Sequence, residues 1–258
     1  MDLREIASVL QAVTNTPLLE ARLLKENCPD LENAIKRRLA HEPIAKIIGK
    51  KGFWKSEFIT STDVLDPRPD SETMIEAVLK HCPQKNYRIL DIGTGSGCLL
   101  FSLLEEYPDA TGIGVDKSAK ALTVATKNRR NLSAELVRKD FFMADWYRDL
   151  GTFDIVISNP PYIPTEDILT LEPDVREYDP MMALDGGEDG LNAYRAISDN
   201  IMDLLNDNGF LFLEIGIHQA KSVIDIFTKQ GLTHIKTHKD LSGIERILTF
   251  QKKTCKAS

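Results

Sequence analysis

Apolar positions in the first forty residues recur at helical spacing: Leu3, Ile6, Ala7 and Leu10, then Leu18, Leu19, Leu23 and Leu24, then Leu31, Ile35 and Leu39. Asn15-Thr16-Pro17 and Pro29-Asp30 interrupt the pattern, so it predicts a small bundle of short helices. From Ile44 to Leu65 the texture changes to glycine, aromatic and β-branched residues, which predicts a hairpin with Lys50-Lys51-Gly52 as its turn. After Pro67 the periodicity predicts a helix over Ser71–Lys80 with Asp70 as N-cap, a strand over Arg88–Ile92 and a helix over Gly97–Glu106. A strand over Thr111–Val115, a helix over Ser118–Asn131 and a strand over Ala134–Arg138 follow. Next come a strand over Phe153–Ser158, a long loop, a helix over Gly190–Leu205, a strand over Phe210–Ile215 and a helix over Ile217–Lys229.

Strands alternating with helices of this length imply parallel βαβ units in a doubly wound sheet. The last two apolar runs, Thr233–His238 and Glu245–Phe250, have only a short turn between them, too little for a crossover helix, and must pair antiparallel. The expected fold is therefore α/β, Rossmann-like, with a mostly parallel seven-stranded sheet closed by an antiparallel C-terminal hairpin. Three parts are expected: residues 1–43, a helical domain; 44–66, a linker with the hairpin; and 67–258, the α/β domain.

A chain of 258 residues with 42% hydrophobic content can bury a core of this size. Nothing at the start reads as a basic segment followed by an apolar stretch, and no run approaches the roughly 18 apolar residues of a membrane span, so a cytoplasmic protein is expected. Cys28, Cys82, Cys98 and Cys255 are scattered without a CxxC pair and predict reduced thiols. The net charge of −7 argues against affinity built on many phosphate contacts. Residues 1–55 carry ten Lys or Arg against seven acids, a mildly basic end that a partner or simply solvent can face. There is no internal repeat.

Four strand ends carry the chemistry. "ILDIGTGSG", Ile89 to Gly97, places Gly93, Gly95 and Gly97 where a strand turns into a helix, allowing tight backbone turns and close approach of a ligand. NAD, a phosphate group or S-adenosylmethionine fits such a turn, and so does plain strand–helix packing. Asp116 ends the next strand, 25 residues beyond Asp91, where a carboxylate can accept both hydroxyls of an adenosine ribose or simply cap the following helix. Asp140 and Phe141 end the third, suited to bonding and covering an adenine ring.

The fourth strand runs into Asn159-Pro160-Pro161-Tyr162. Proline holds the residue before it extended, so Asn159 and Pro160 are kept from helical geometry, and Pro160 offers a carbonyl without an N–H. The Asn159 side-chain oxygen and the Pro160 carbonyl can then grip both hydrogens of one NH2 group. An amide or aromatic amine is a poor nucleophile because its lone pair is delocalised; pinning its hydrogens aims that lone pair at an incoming methyl. This stretch favours S-adenosylmethionine over NAD.

Asp91-Ile-Gly-Thr-Gly-Ser-Gly, Asp116, Asp140 and Asn159-Pro-Pro-Tyr together resemble a class I S-adenosylmethionine-dependent methyltransferase. "EPIAKIIGKKGFWKSEF" (from Glu42), "LDPRPDSE" (from Leu65), "VREYDPMMALDGGEDGLNAYRAI" (from Val175) and "FLEIG" (from Phe212) narrow the resemblance to the HemK/PrmC family. That family methylates the glutamine side-chain amide in the Gly-Gly-Gln loop of peptide chain release factors. The resemblance implies that Asp91, Gly93 and Gly95 line the methionine part of S-adenosylmethionine, which leaves as S-adenosylhomocysteine, and that Thr94, Gly97 and Asn159 also contact the cofactor. It places Asp116 with Lys117 at the ribose, Asp140 with Phe141 at the adenine, and the Arg68-Pro69 turn over the site. Asn159, Pro160, Pro161 and Tyr162 would take the glutamine amide, Glu214 would help position that turn, and the N-terminal helices would dock the release factor. Two positions depart from the commoner pattern: Asp66 replaces an apolar residue and Ser71 a threonine.

A monomeric enzyme making N5-methylglutamine is the expected function. Adenine N6-methylation of nucleic acid poses the same chemical problem to Asn-Pro-Pro-Tyr, but the acidic charge and the missing base-reading module count against a nucleic-acid partner. A non-catalytic binding protein on the same fold would not need an intact glycine turn and Asn159. His234 and His238 lie four apart in an expected strand, sharing a face without a third ligand, so no metal is expected.

Overall fold

A computed structural model describes residues 1–84 and 86–253. Asp2 starts the first helix with a reciprocal cap: its carboxylate accepts from the Arg4 and Glu5 amides while the Glu5 side chain accepts from the Asp2 N–H. Helices α1 (Leu3–Leu10), α2 (Pro17–Asn27), α3 (Leu31–Leu39) and α4 (Ile44–Ile48) pack around their own core, which includes Ile6, Leu10, Leu24, Ile35 and Ile47. Gly49, at φ +78°, ends α4 in the left-handed region that glycine adopts without strain.

The hairpin pairs β1 (Lys50–Phe53) with β2 (Ser56–Ile59), and its turn is Trp54-Lys55. Lys50-Lys51-Gly52 is strand, not the expected turn. The period of two explains the shift, since buried Phe53 and Phe58 share a face, and their edge-to-face contact at 6.2 Å requires Lys51 and Gly52 to be extended beneath it.

The main sheet has the order β5-β4-β3-β6-β7-β9-β8. Its strands are β3 (Arg88–Ile92), β4 (Thr111–Asp116), β5 (Ala134–Arg138), β6 (Phe153–Ser158), β7 (Leu205–Glu214), β8 (Thr233–Lys239) and β9 (Glu245–Gln251). Only β9 runs against its neighbours, as the short last turn predicts. Helices α5 (Glu72–His81), α6 (Cys98–Glu106) and α7 (Ala119–Asn128) cover one face through a core that includes Met74, Phe101, Ile155 and Phe212. A short helix, α8 (Pro173–Arg176), lies in the loop after β6. The other face is covered by α9 (Asn192–Ser198), α10 (Ile201–Leu204) and α11 (Ala220–Lys229), on Val156, Leu211, Leu213 and Phe250. Covered on both faces, β3 and β6 are near-continuous apolar runs, the texture of buried parallel strands.

Several boundaries differ from the sequence pattern. Asp70 does not cap α5: Pro69–Ser71 forms one 3-10 turn, and the Asp70 carboxylate faces Arg246 at 3.5 Å. Helix α7 stops at Asn128, whose side chain bonds both backbone groups of Ile59 and the Ser96 carbonyl. The helix expected over 190–205 is split at Asp199-Asn200, and β7 begins already at Leu205. A register shift between His234 and Lys236 turns the two histidines apart: His234 packs on Phe250 and His238 on His81. Cys28, Cys82 and Cys98 are free thiols, and Cys255 lies outside the described residues. Among the described residues no group of three or more His, Cys, Asp or Glu could hold a metal, and no helix is long and apolar enough to cross a membrane.

Candidate active site

Strands β4 and β6 flank β3 on opposite sides, so the chain leaves β3 and β6 in opposite directions and a crevice opens at their carboxyl ends. The glycine turn forms one wall. The amides of Gly93 and Thr94 both donate to the Val115 carbonyl at 2.9 Å, which ties the turn to the end of β4. Gly93, at φ +76°, faces open space, since a Cβ there would meet no atom within 4 Å. Gly97 is required for a different reason: with φ +81°, its Cβ would fall 2.2 Å from the Phe101 ring.

Asp116 stands beside this turn. One carboxylate oxygen accepts from the Gly95 amide (3.0 Å) and the other from the Ser118 amide (2.8 Å), leaving each a lone pair for a ligand. Burial raises its pKa, against the pull of those two amides. Asp91 lies deeper and does not border the cavity; Thr94 does, and its hydroxyl donates to Asp91 at 2.6 Å. Burial, opposed by Thr94 and reinforced by Asp116, pushes the Asp91 carboxyl up to about 7. Its other oxygen is buried without a hydrogen-bond partner.

Phe141 and Phe142 border the far side, their ring centroids 4.7 Å apart, with the Lys117 ammonium 5.6 Å from the Phe142 ring. Asp140 lies behind them and accepts from the Phe142 amide. Arg68 completes the rim and donates to Asp179 at 2.6 Å, while Pro69, the first residue of the 3-10 turn, does not border the cavity.

Asn159 faces the glycine turn across the cavity, with Pro161 beside it. Its side-chain NH2 donates to the Ser71 hydroxyl (3.3 Å), and that hydroxyl donates to Glu214 (2.5 Å). Pro160 is buried behind the wall. Tyr162 does not reach the cavity either: its hydroxyl donates to Glu214 at 3.4 Å and its carbonyl accepts from Gln219. Burial moves the Tyr162 phenol up, and the neighbouring Glu214 adds to it.

The structure thus brings Arg68, Gly93, Thr94, Gly95, Asp116, Lys117, Phe141, Asn159 and Pro161 to one cavity. It sets Pro69, Asp91, Gly97, Asp140, Pro160 and Tyr162 around it as neighbours or supports. Sequence reasoning missed Ser71 and Phe142 on the wall. Phe142 follows Phe141 in the same strand-end motif; Ser71 carries no local signal, because its partners come from the loop after β6 and from β7.

The strand order and the crevice place the chain among the class I methyltransferases. Residues 54–170 match the family described as Methyltransferase small domain. A methyltransferase structure from Pyrococcus furiosus has the same fold, with a TM-score of 0.57 over 86% of this chain and 100% of that one at 19% identity. The release factor glutamine methyltransferase of Caulobacter vibrioides is 42% identical over 254 residues, covering 96% of this chain and 88% of that protein. That of Rhodospirillum rubrum is 44% identical over 229 residues, covering 88% and 70%. The chain belongs to the family of release factor glutamine methyltransferases.

Proposed function

We propose that this protein transfers a methyl group from S-adenosylmethionine to the side-chain amide nitrogen of the glutamine in the Gly-Gly-Gln loop of a peptide chain release factor. The observation that carries this is the placement of Asn159 beside the glycine turn, in one cavity, with its NH2 group already engaged. The residues present suit the cofactor: Gly93 leaves room for a ligand against the backbone, and Asp116 keeps lone pairs for a ribose diol. Gly93, Thr94 and Gly95 would hold its methionine part, and Phe141 with Phe142 its adenine. When bound, it supplies a methyl group on a positively charged sulfur.

The chain's own task is orientation. Asn159 Oδ1 accepts one N–H of the glutamine amide, which orients the nitrogen and favours the geometry in which its lone pair is available; Pro160, whose carbonyl is the expected acceptor for the other N–H, is buried behind the wall. Each transfer releases one N–H proton, which leaves to solvent.

Purified protein, labelled S-adenosylmethionine and a release factor test the proposal, beside a Gln→Ala variant of the Gly-Gly-Gln loop and duplex DNA. Label on the unaltered factor alone is the expected result. Label on DNA would replace it with adenine methylation, and label on the Gln→Ala factor would move the target to another residue.

A further inference from the structure

We infer that Ser71 and Glu214 are positioning residues that hold the Asn159 carboxamide with its oxygen, not its NH2 group, turned toward the target amide. The inference rests on the reading of Asn159 as the acceptor for that amide.

It follows from counting protons along a buried chain. Glu214 ends β7, is 2% exposed, and is approached by two hydroxyls, Ser71 on Oε2 (2.5 Å) and Tyr162 on Oε1 (3.4 Å). An ionised carboxylate can only accept, so the single Ser71 proton is committed to Glu214. The Ser71 oxygen is then left with lone pairs alone, and Asn159, at 3.3 Å, can satisfy it only with its NH2 group. Among the described residues nothing donates to Asn159 Oδ1, which stays available to accept from a ligand.

Asparagine presents nearly the same shape in both orientations, so sterics alone do not choose between them. Without the Ser71–Glu214 pair the side chain could turn its NH2 group toward the target, placing donor against donor. Tyr162, bonded to the same Glu214, holds the loop after β6 to the end of β7, so one carboxylate orients both the side chain and the segment that carries it.

The test is a double-mutant cycle on the full-length protein with a release factor as substrate. Ser71→Ala, Ser71→Thr, Glu214→Gln, Asn159→Ala and Asn159→Ala/Ser71→Ala are compared for kcat, KM and S-adenosylhomocysteine affinity. The expected result is a kcat lower by about 10- to 100-fold for Ser71→Ala, the scale of a misaligned reacting group. Inhibitor affinity should be nearly unchanged, kcat should recover in Ser71→Thr, and Ser71→Ala should have no further effect when Asn159 is already alanine. Glu214→Gln should behave like Ser71→Ala, because its amide can donate to Ser71 and reverse the chain; if that variant does not fold, the Ser71 variants decide. Wild-type kcat in Ser71→Ala, or the same loss with and without Asn159, overturns the inference while an impaired Asn159→Ala leaves the function of Asn159 standing. Normal turnover in Asn159→Ala overturns both.

Discussion

At the scale of single residues, the cavity depends on carboxylates placed where water does not reach. Burial holds Asp91 and Glu214 near 7, above their ordinary 3.8 and 4.5. Raised carboxyl pKa values favour the folded chain most at low pH, and that contribution is lost as pH rises through about 7. The melting temperature of the cofactor-free protein, taken relative to Asp91→Asn, should therefore fall between about pH 4 and pH 7 and level off above that. Turnover should move the other way. Glu214 must be ionised to take the Ser71 proton, so kcat should rise through about pH 7. Facing Glu214 are Arg246 of β9, which opposes protonation, Asp70 of the turn before α5, which favours it, Tyr162 of the loop after β6, which opposes it, and Cys98 of α6. A flat kcat profile in this range would remove Glu214 from the orienting chain. Asp116→Ala should weaken S-adenosylhomocysteine binding by tenfold or more, as loss of a charge-assisted pair of hydrogen bonds would; unchanged affinity in calorimetry would remove its ribose role. Gly97→Ala should lower stability by about 1–3 kcal/mol, since it adds both a left-handed strain and a clash with Phe101; urea unfolding measures it.

At the scale of elements, a buried ionic cluster joins parts that the sequence presents as separate. Lys46 of α4 places its ammonium 3.0 Å from Asp66 and 2.8 Å from Asp179, and also donates to the Ser61 and Val64 carbonyls. Asp179, from the loop after α8, in turn holds Arg68 on the cavity rim. This gives a physical account of Asp66, the acid in an otherwise apolar pattern: it accepts from Lys46 and Thr60 in a place water does not reach. Lys46→Met would leave Asp66 buried without its cation and Asp179 with Arg68 alone, and should cost about 3–5 kcal/mol of stability in a urea titration. Element positions were largely legible, because periodicity reports which face is buried. The strands over Arg88–Ile92, Ala134–Arg138 and Phe153–Ser158 coincide with the apolar runs that predict them. Boundaries were less so. The Lys50-Lys51-Gly52 segment has turn composition but is drawn into a strand by two phenylalanines, and the 190–205 pattern continues through Asp199-Asn200 where the backbone does not.

At the scale of the molecule, an α/β body carries the cavity, and the N-terminal helices bear on the loop that borders it. Arg38 of α3 bonds Glu20 of α2 and Asp174 of α8, and the Tyr178 hydroxyl donates to the Ala40 carbonyl. A ligand that binds only the folded state stabilises it by mass action, so S-adenosylhomocysteine at about a hundred times its Kd should add about 2.7 kcal/mol. The melting temperature should rise accordingly, and by less at the same concentration in Asp116→Ala; equal shifts would place the ligand elsewhere. The amino-acid sequence by itself determined the alternation of strands and helices, the antiparallel last pair and the strand-end residues, because each is written in a local period or a short motif. Only the tertiary structure decided that Ser71 meets Glu214, that Lys46 meets Asp66 and Asp179, and that His234 and His238 face apart. Those pairings join residues distant in the chain, or turn on one bulge, and no local pattern of polar and apolar residues carries that information.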